Sequence, residues 1–127
     1  MEQYHLTVRH ELLYTRAALK HLGRIRVVSL LLDSGSTYTI VSQAVLLSLK
    51  LEPSVSSIRR SIMTANGSLV LPEVEVGEFH TLGRRIERFP VLAHTIPLGG
   101  QVDGLLGMSF LRRFETALNF QQATIWL

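Results

Sequence analysis

Short alternating runs dominate the apolar pattern of this chain, and long helical stripes are rare. Tyr4 to Val8 alternates with β-branched and aromatic positions and reads as a short strand. Glu11 to Leu22 fits two templates. Leu12, Leu13, Ala17 and Leu22 fall roughly on one helical face, but the segment also reads as a strand and loop leading to Gly23. Arg24 to Leu32 is a strand that grows more apolar toward its end, and Asp33 to Thr37 is a turn by composition. Tyr38 to Val41 forms a short strand. Ser42 is suited to cap a helix running to about Leu49, and Pro53 stops it.

Beyond Ile58 the rhythm stays β-like. Ile58 to Ala65 is extended, and Asn66-Gly67 is a strong hairpin signal if both residues take positive φ. Ser68 to Val76 is the returning arm, with Pro72 expected to confine it to an edge or a bulge. Ile86 to Ala93 is a further strand, Thr95 to Gly104 a loop, and Leu105 to Gly107 a short buried piece. Met108 to Arg113 suits one or two helical turns. Phe114 to Phe120 and Ala123 to Leu127 form a closing hairpin around Gln121-Gln122. No repeat or linker interrupts the pattern, so residues 1–127 are expected to form one mostly β domain with one or two short helices.

Composition narrows the function classes. The 127 residues contain no cysteine, which removes disulfides, thiolate metal sites and thiol nucleophiles. No apolar run is long enough for a membrane span, and the N-terminus lacks the basic-then-apolar order of a signal peptide. The compartment stays open, with the cytoplasm as default. The net charge of +3 is spread over separated pairs, Arg59-Arg60, Arg84-Arg85 and Arg112-Arg113, each beside apolar residues. A nucleic-acid surface would cluster such charges with exposed aromatics. The five histidines show no paired ligand spacing, and "HELLY" at His10 ends in Tyr where the zinc motif needs a second His. They read as surface or loop residues, and neither a metal nor a cofactor is expected.

Asp33 is the position that asks for chemistry. Six of the eight residues before it are apolar, and a carboxylate at the end of such a run costs free energy unless it is hydrogen-bonded. The residues after it, Ser34, Gly35, Ser36 and Thr37, are small and can donate. Gly35 also leaves room for a substrate to approach. A local cap of the turn explains Asp33 as well as catalysis does. A serine nucleophile is disfavoured because "DSGST" lacks glycines on both sides of a serine in the elbow pattern. The chain has only two aspartates, Asp33 and Asp103. If two carboxylates are to share a proton, the partner of Asp33 is either Asp103 or Asp33 of a second chain at a two-fold axis.

"LLLDSGSTYTIVS" followed by "VDGLLGMSFLRRF" resembles the retropepsin-like aspartic proteases, and most closely their bacterial and cellular single-domain members. "TANGSLVLP" lies where such proteins carry a β-hairpin flap, and "FETALNFQQATIWL" resembles the closing hairpin of bacterial members. The resemblance implies a single-lobe acid protease fold, a closed barrel-like sheet with a flap. It implies a homodimer that hydrolyses peptide bonds, with Asp33 of each chain activating water. Ser34 would hydrogen-bond across the axis, Gly35 would let the substrate pass, and Ser36 would bond the outer oxygen of Asp33, with Thr37 completing the loop. Ala65, Asn66 and Gly67 would form the flap tip over a peptide. Leu105, Leu106 and Gly107 would pack beneath the Asp loop, and Asp103 would be a turn residue. In retroviral members interleaved terminal strands seal the dimer, and whether "ATIWL" crosses to a partner is open. The alternative is a dimerisation or peptide-binding module without turnover. "NGS" at Asn66 also matches a glycosylation sequon, but the turn already accounts for Asn-Gly.

Overall fold

Among the described residues, three two-residue turns with paired positive φ set strand boundaries of the sheet. They are His10-Glu11 (φ 51° and 65°), Leu22-Gly23 (48° and 77°) and Leu82-Gly83 (50° and 68°). Paired positive φ values give turns whose twist matches that of the flanking strands. The computed structural model describes residues 1–96 and 101–127, so the middle of the loop expected over Thr95 to Gly104 lies outside the described residues.

The strands are β1 (Gln3–His5), β2 (Thr7–Arg9), β3 (Leu12–His21), β4 (Arg24–Leu32), β5 (Ile40–Val41), β6 (Arg59–Thr64), β7 (Gly67–Thr81), β8 (Arg84–Ala93), β9 (Gly104–Leu106), β10 (Ala117–Asn119) and β11 (Thr124–Trp126). Helix α1 (Gln43–Ser48) is capped by Ser42, whose hydroxyl accepts the Val45 N–H, and α2 spans Met108–Leu111. Pro53 opens a 3-10 turn over Pro53–Val55. The segment that fitted both helix and strand is therefore a strand, because tight turns at both of its ends return the chain antiparallel. The single strand expected over Tyr4 to Val8 is divided at Leu6. That buried residue donates its N–H to Ala123 O (2.8 Å), and the chain passes there from one sheet to the other.

Eight strands run in the order β2-β3-β4-β9-β5-β8-β7-β6, and a further pairing of β3 with β7 curls the sheet closed. Strand β7 is longer than its sequence pattern suggested and serves three partners in turn. Pro72 marks the first exchange, opposite Arg59 of β6, and Glu73 next to it already faces Leu92 of β8. A residue without an N–H is tolerated at such a junction, so Pro72 lies inside a shared strand and not at the expected edge or bulge. From Gly67 to Pro72 only β6 pairs with β7, which leaves a two-stranded hairpin standing off the barrel.

The core is built on Phe79, Phe89 and Phe110, all fully buried, with ring centroids 4.6, 5.9 and 6.5 Å apart. Edge and tilted contacts of this kind add to their area burial. A second, smaller cluster of Ile40, Leu71 and Leu92 packs with Tyr38, Ile62, Leu69, Ile96 and Leu105 at the base of the hairpin. The terminal segments form a separate sheet, β1-β11-β10, in which β11 is paired on both sides within its own chain.

Candidate active site

Asp33 stands where β4 ends, and its N–H donates to Leu106 O (3.0 Å), which carries the β4–β9 pairing one residue further. The chain then turns, with Ser36 N–H donating to Asp33 O (3.2 Å) and Gly35 N–H to Asp33 Oδ1 (2.9 Å). A backbone amide thus faces the carboxylate, which is half-buried. The Ser36 hydroxyl does not bond the Asp33 carboxylate. It donates to Tyr38 O (2.7 Å), tightening the loop. Ser34 and Thr37 are exposed on the same turn.

Beneath this loop lies an interlock of short polar contacts. The first N–H groups of α2 donate to loop carbonyls, Met108 to Ser36 O (2.7 Å) and Ser109 to Thr37 O (2.9 Å). Buried Thr39 accepts on Oγ1 from Gly107 N–H (3.2 Å) and from the Ser109 hydroxyl (2.9 Å), and its own N–H donates to Ser109 Oγ (3.0 Å). Buried polar groups are tolerated when satisfied in this way. The glycines here are required by space. A Cβ on Gly107 would lie 2.2 Å from Tyr38 O, and one on Gly104 would lie 1.8 Å from Ile40 O. Strand alternation separates the two leucines expected under the loop. Leu106 is fully buried in the main core, while Leu105 joins the wall of the cleft.

That cleft is a cavity of about 430 Å³ between the Asp33 loop and the β6–β7 hairpin. Its floor includes Asp33, Gly35, Ser36, Thr37 and Tyr38, and its apolar walls include Ile40, Ile62, Leu69, Ile96 and Leu105. The hairpin contributes its arms, Ser61 to Thr64 and Leu69. The tip residues Ala65, Asn66 and Gly67 are exposed and do not line the cavity. At that tip only Gly67 has a positive φ (112°), so the turn centres on Ala65-Asn66 and not on Asn66-Gly67. Thr64 holds it, with Oγ1 donating to Gly67 O (2.8 Å) and accepting from Asn66 N–H (3.2 Å).

Asp103 is remote from this cleft. It lies beside Ser29, whose N–H donates to Asp103 Oδ2 (2.9 Å) and whose carbonyl accepts the Asp103 N–H (2.8 Å). Four strand residues, about 13 Å, separate Ser29 from Asp33. The two aspartates of one chain therefore do not meet. Sequence reading missed Thr39, Ser109, Tyr38 and His94. Thr39 carried a faint signal, a polar residue inside the apolar run Tyr38 to Val41, whereas His94 carried none.

The chain matches the family model described as Aspartyl protease over residues 19–110. It is also similar to the crystal structure of a retropepsin-like aspartic protease from Rickettsia conorii, with a TM-score of 0.70 at 16% identity, covering 98% of each chain. No curated protein matches it.

Proposed function

Because this chain belongs to the aspartyl protease family, we propose that it is an endopeptidase whose catalytic unit is a homodimer, with Asp33 of each protomer brought together at the two-fold axis. The observation that carries this reading is the lone carboxylate. Among the described residues that line the cleft, Asp33 alone carries one, and Asp103 is held elsewhere. Acid–base chemistry with one proton shared between two carboxylates then needs a second chain.

In the dimer the ionised Asp33 takes a proton from water as the water oxygen bonds to the scissile carbonyl carbon. The protonated Asp33 gives its proton to the carbonyl oxygen, which receives the π electrons. Collapse of the resulting diol breaks the C–N bond: the protonated carboxyl gives its proton to the amine nitrogen, and the ionised carboxylate takes one from a diol hydroxyl as the C=O re-forms, which restores the shared proton. The rigid loop keeps both carboxylates in register, and Ser34 bonds across the axis. The peptide lies extended between the Asp33 loop and the arms of the flap, where Ile40, Ile62, Leu69 and Leu105 favour apolar side chains. Flap closure over the peptide excludes water.

Asp33→Asn should fold and dimerise as the parent does, yet lose cleavage by about 10²–10⁴-fold or more, because it removes the general base. Peptide digestion followed by mass spectrometry measures this, and an Asp33→Asn variant cutting at the parental rate refutes the assignment. Activity should also fall as pH rises and the shared proton is lost. Activity per chain that stays constant on dilution to monomer would refute the homodimer.

A further inference from the structure

Of the five histidines, His94 alone is among the described residues that line the cavity holding Asp33. It follows β8 directly, and its N–H donates to Val41 O (3.1 Å), so its backbone is anchored to the sheet. The residue is half-buried. Other imidazoles are engaged inside the protein: His21 Nδ1 accepts the Gly77 N–H (3.1 Å), and His80 Nε2 bonds Glu78 (2.9 Å). The His94 imidazole has no hydrogen-bond partner among the described residues.

Its surroundings are electrically sparse. Of the described cleft residues only Asp33 and Tyr38 also titrate, and the hairpin arms present Ser61, Ile62, Met63, Thr64 and Leu69. Arg60, next to Ser61, is ion-paired with Glu73 (3.1 Å). Asp103, reached from β5 through Ser42, has its carboxylate held by the Ser29 N–H (2.9 Å). A protonated imidazole on an otherwise apolar wall is a recognition element for a carboxylate.

We propose that His94 is a specificity-determining residue that selects an acidic side chain at one position flanking the cleaved bond of the peptide substrate. This rests on the endopeptidase reading. The apolar wall binds neighbouring side chains by area, and His94 adds a charged contact for one of them. Preference for glutamate over glutamine should be present where the imidazole is protonated, and recede where the substrate carboxyl is itself protonated.

The test uses matched peptides carrying Glu, Gln, Leu or Lys at each position around the bond, cut by the parent, His94→Gln and His94→Leu. The parent should favour Glu over Gln by about tenfold in kcat/KM at one position. Both variants should bring that ratio close to one, whatever their absolute rates. A ratio unchanged in the variants, or absent in the parent, overturns the proposal. Binding of non-hydrolysable versions of the Glu and Gln peptides separates this failure from failure of the endopeptidase reading. A Glu preference in binding without turnover overturns catalysis and keeps His94, turnover without the preference overturns His94 alone, and absence of both overturns the two together.

Discussion

The Asp33 loop and the β6–β7 hairpin face each other across one cleft and are built on opposite principles. Each carbonyl from Ser36 to Tyr38 accepts a donor, from Met108, Ser109 and Ser36 in turn. Two glycines let strands and loop approach so closely that no other residue fits. The hairpin from Gly67 to Pro72 has one partner strand, exposed Met63 and Val70, and open space around Gly67. The loop is over-determined and the hairpin is left free, which suits a site where one wall holds geometry and the other admits a ligand.

Gly107→Ala tests this contrast most severely. Its Cβ would meet backbone 2.2 Å away, with no flexible side chain to yield. A loss of about 2–4 kcal/mol is expected, read from the denaturant midpoint, together with loss of cleavage. Gly67→Ala on the opposite wall meets nothing, and only its φ of 112° opposes a side chain. It should cost about 1–2 kcal/mol or less, and show mainly as a few-fold fall in kcat/KM. If the Gly67 change proved more destabilising than the Gly107 change, the contrast would collapse.

The smallest effect is expected at the far end of β7, beyond both walls. Hydrogen bonds from Arg85, and then from His80, hold the Glu78 carboxyl down at about 2. A carboxylate whose pKa is lowered in the folded state stabilises it above the ordinary glutamate range, and that contribution is lost as pH falls toward 2. Glu78→Gln should therefore lower stability slightly near neutrality, with the difference from the parent shrinking between about 4.5 and 2. Arg85 is exposed and His80 and Glu78 are half-buried, within reach of solvent screening, so the shift in urea midpoint should be small. An equally large difference at pH 2 and pH 7 would show that Glu78 acts through packing.

Much of this was legible residue by residue. Ser42 caps α1, Asp33 terminates an apolar strand, and Gly104–Leu106 of "GLLG" forms the short strand beside it. These signals are local, since a cap, a turn and an alternation each act within a few residues. Other readings failed. His10-Glu11 forms a turn without glycine, Tyr4 to Val8 changes sheets at Leu6, and Ser36 spends its hydroxyl on Tyr38 O. In the last two, a partner distant in the chain or an equally good local acceptor decided the outcome.

The amino-acid order alone determined that Asp33 would sit on a strand end among small donors, that a hairpin would follow, and that a glycine-flanked apolar pair would return. Tertiary structure alone decided that Leu106 goes under the loop while Leu105 faces the cleft, that Asp103 stays with Ser29, and that His94 shares a cavity with Asp33. The division has a physical reason. Backbone conformation answers to near neighbours along the chain, whereas the composition of a cleft depends on which strands the closed sheet lays side by side.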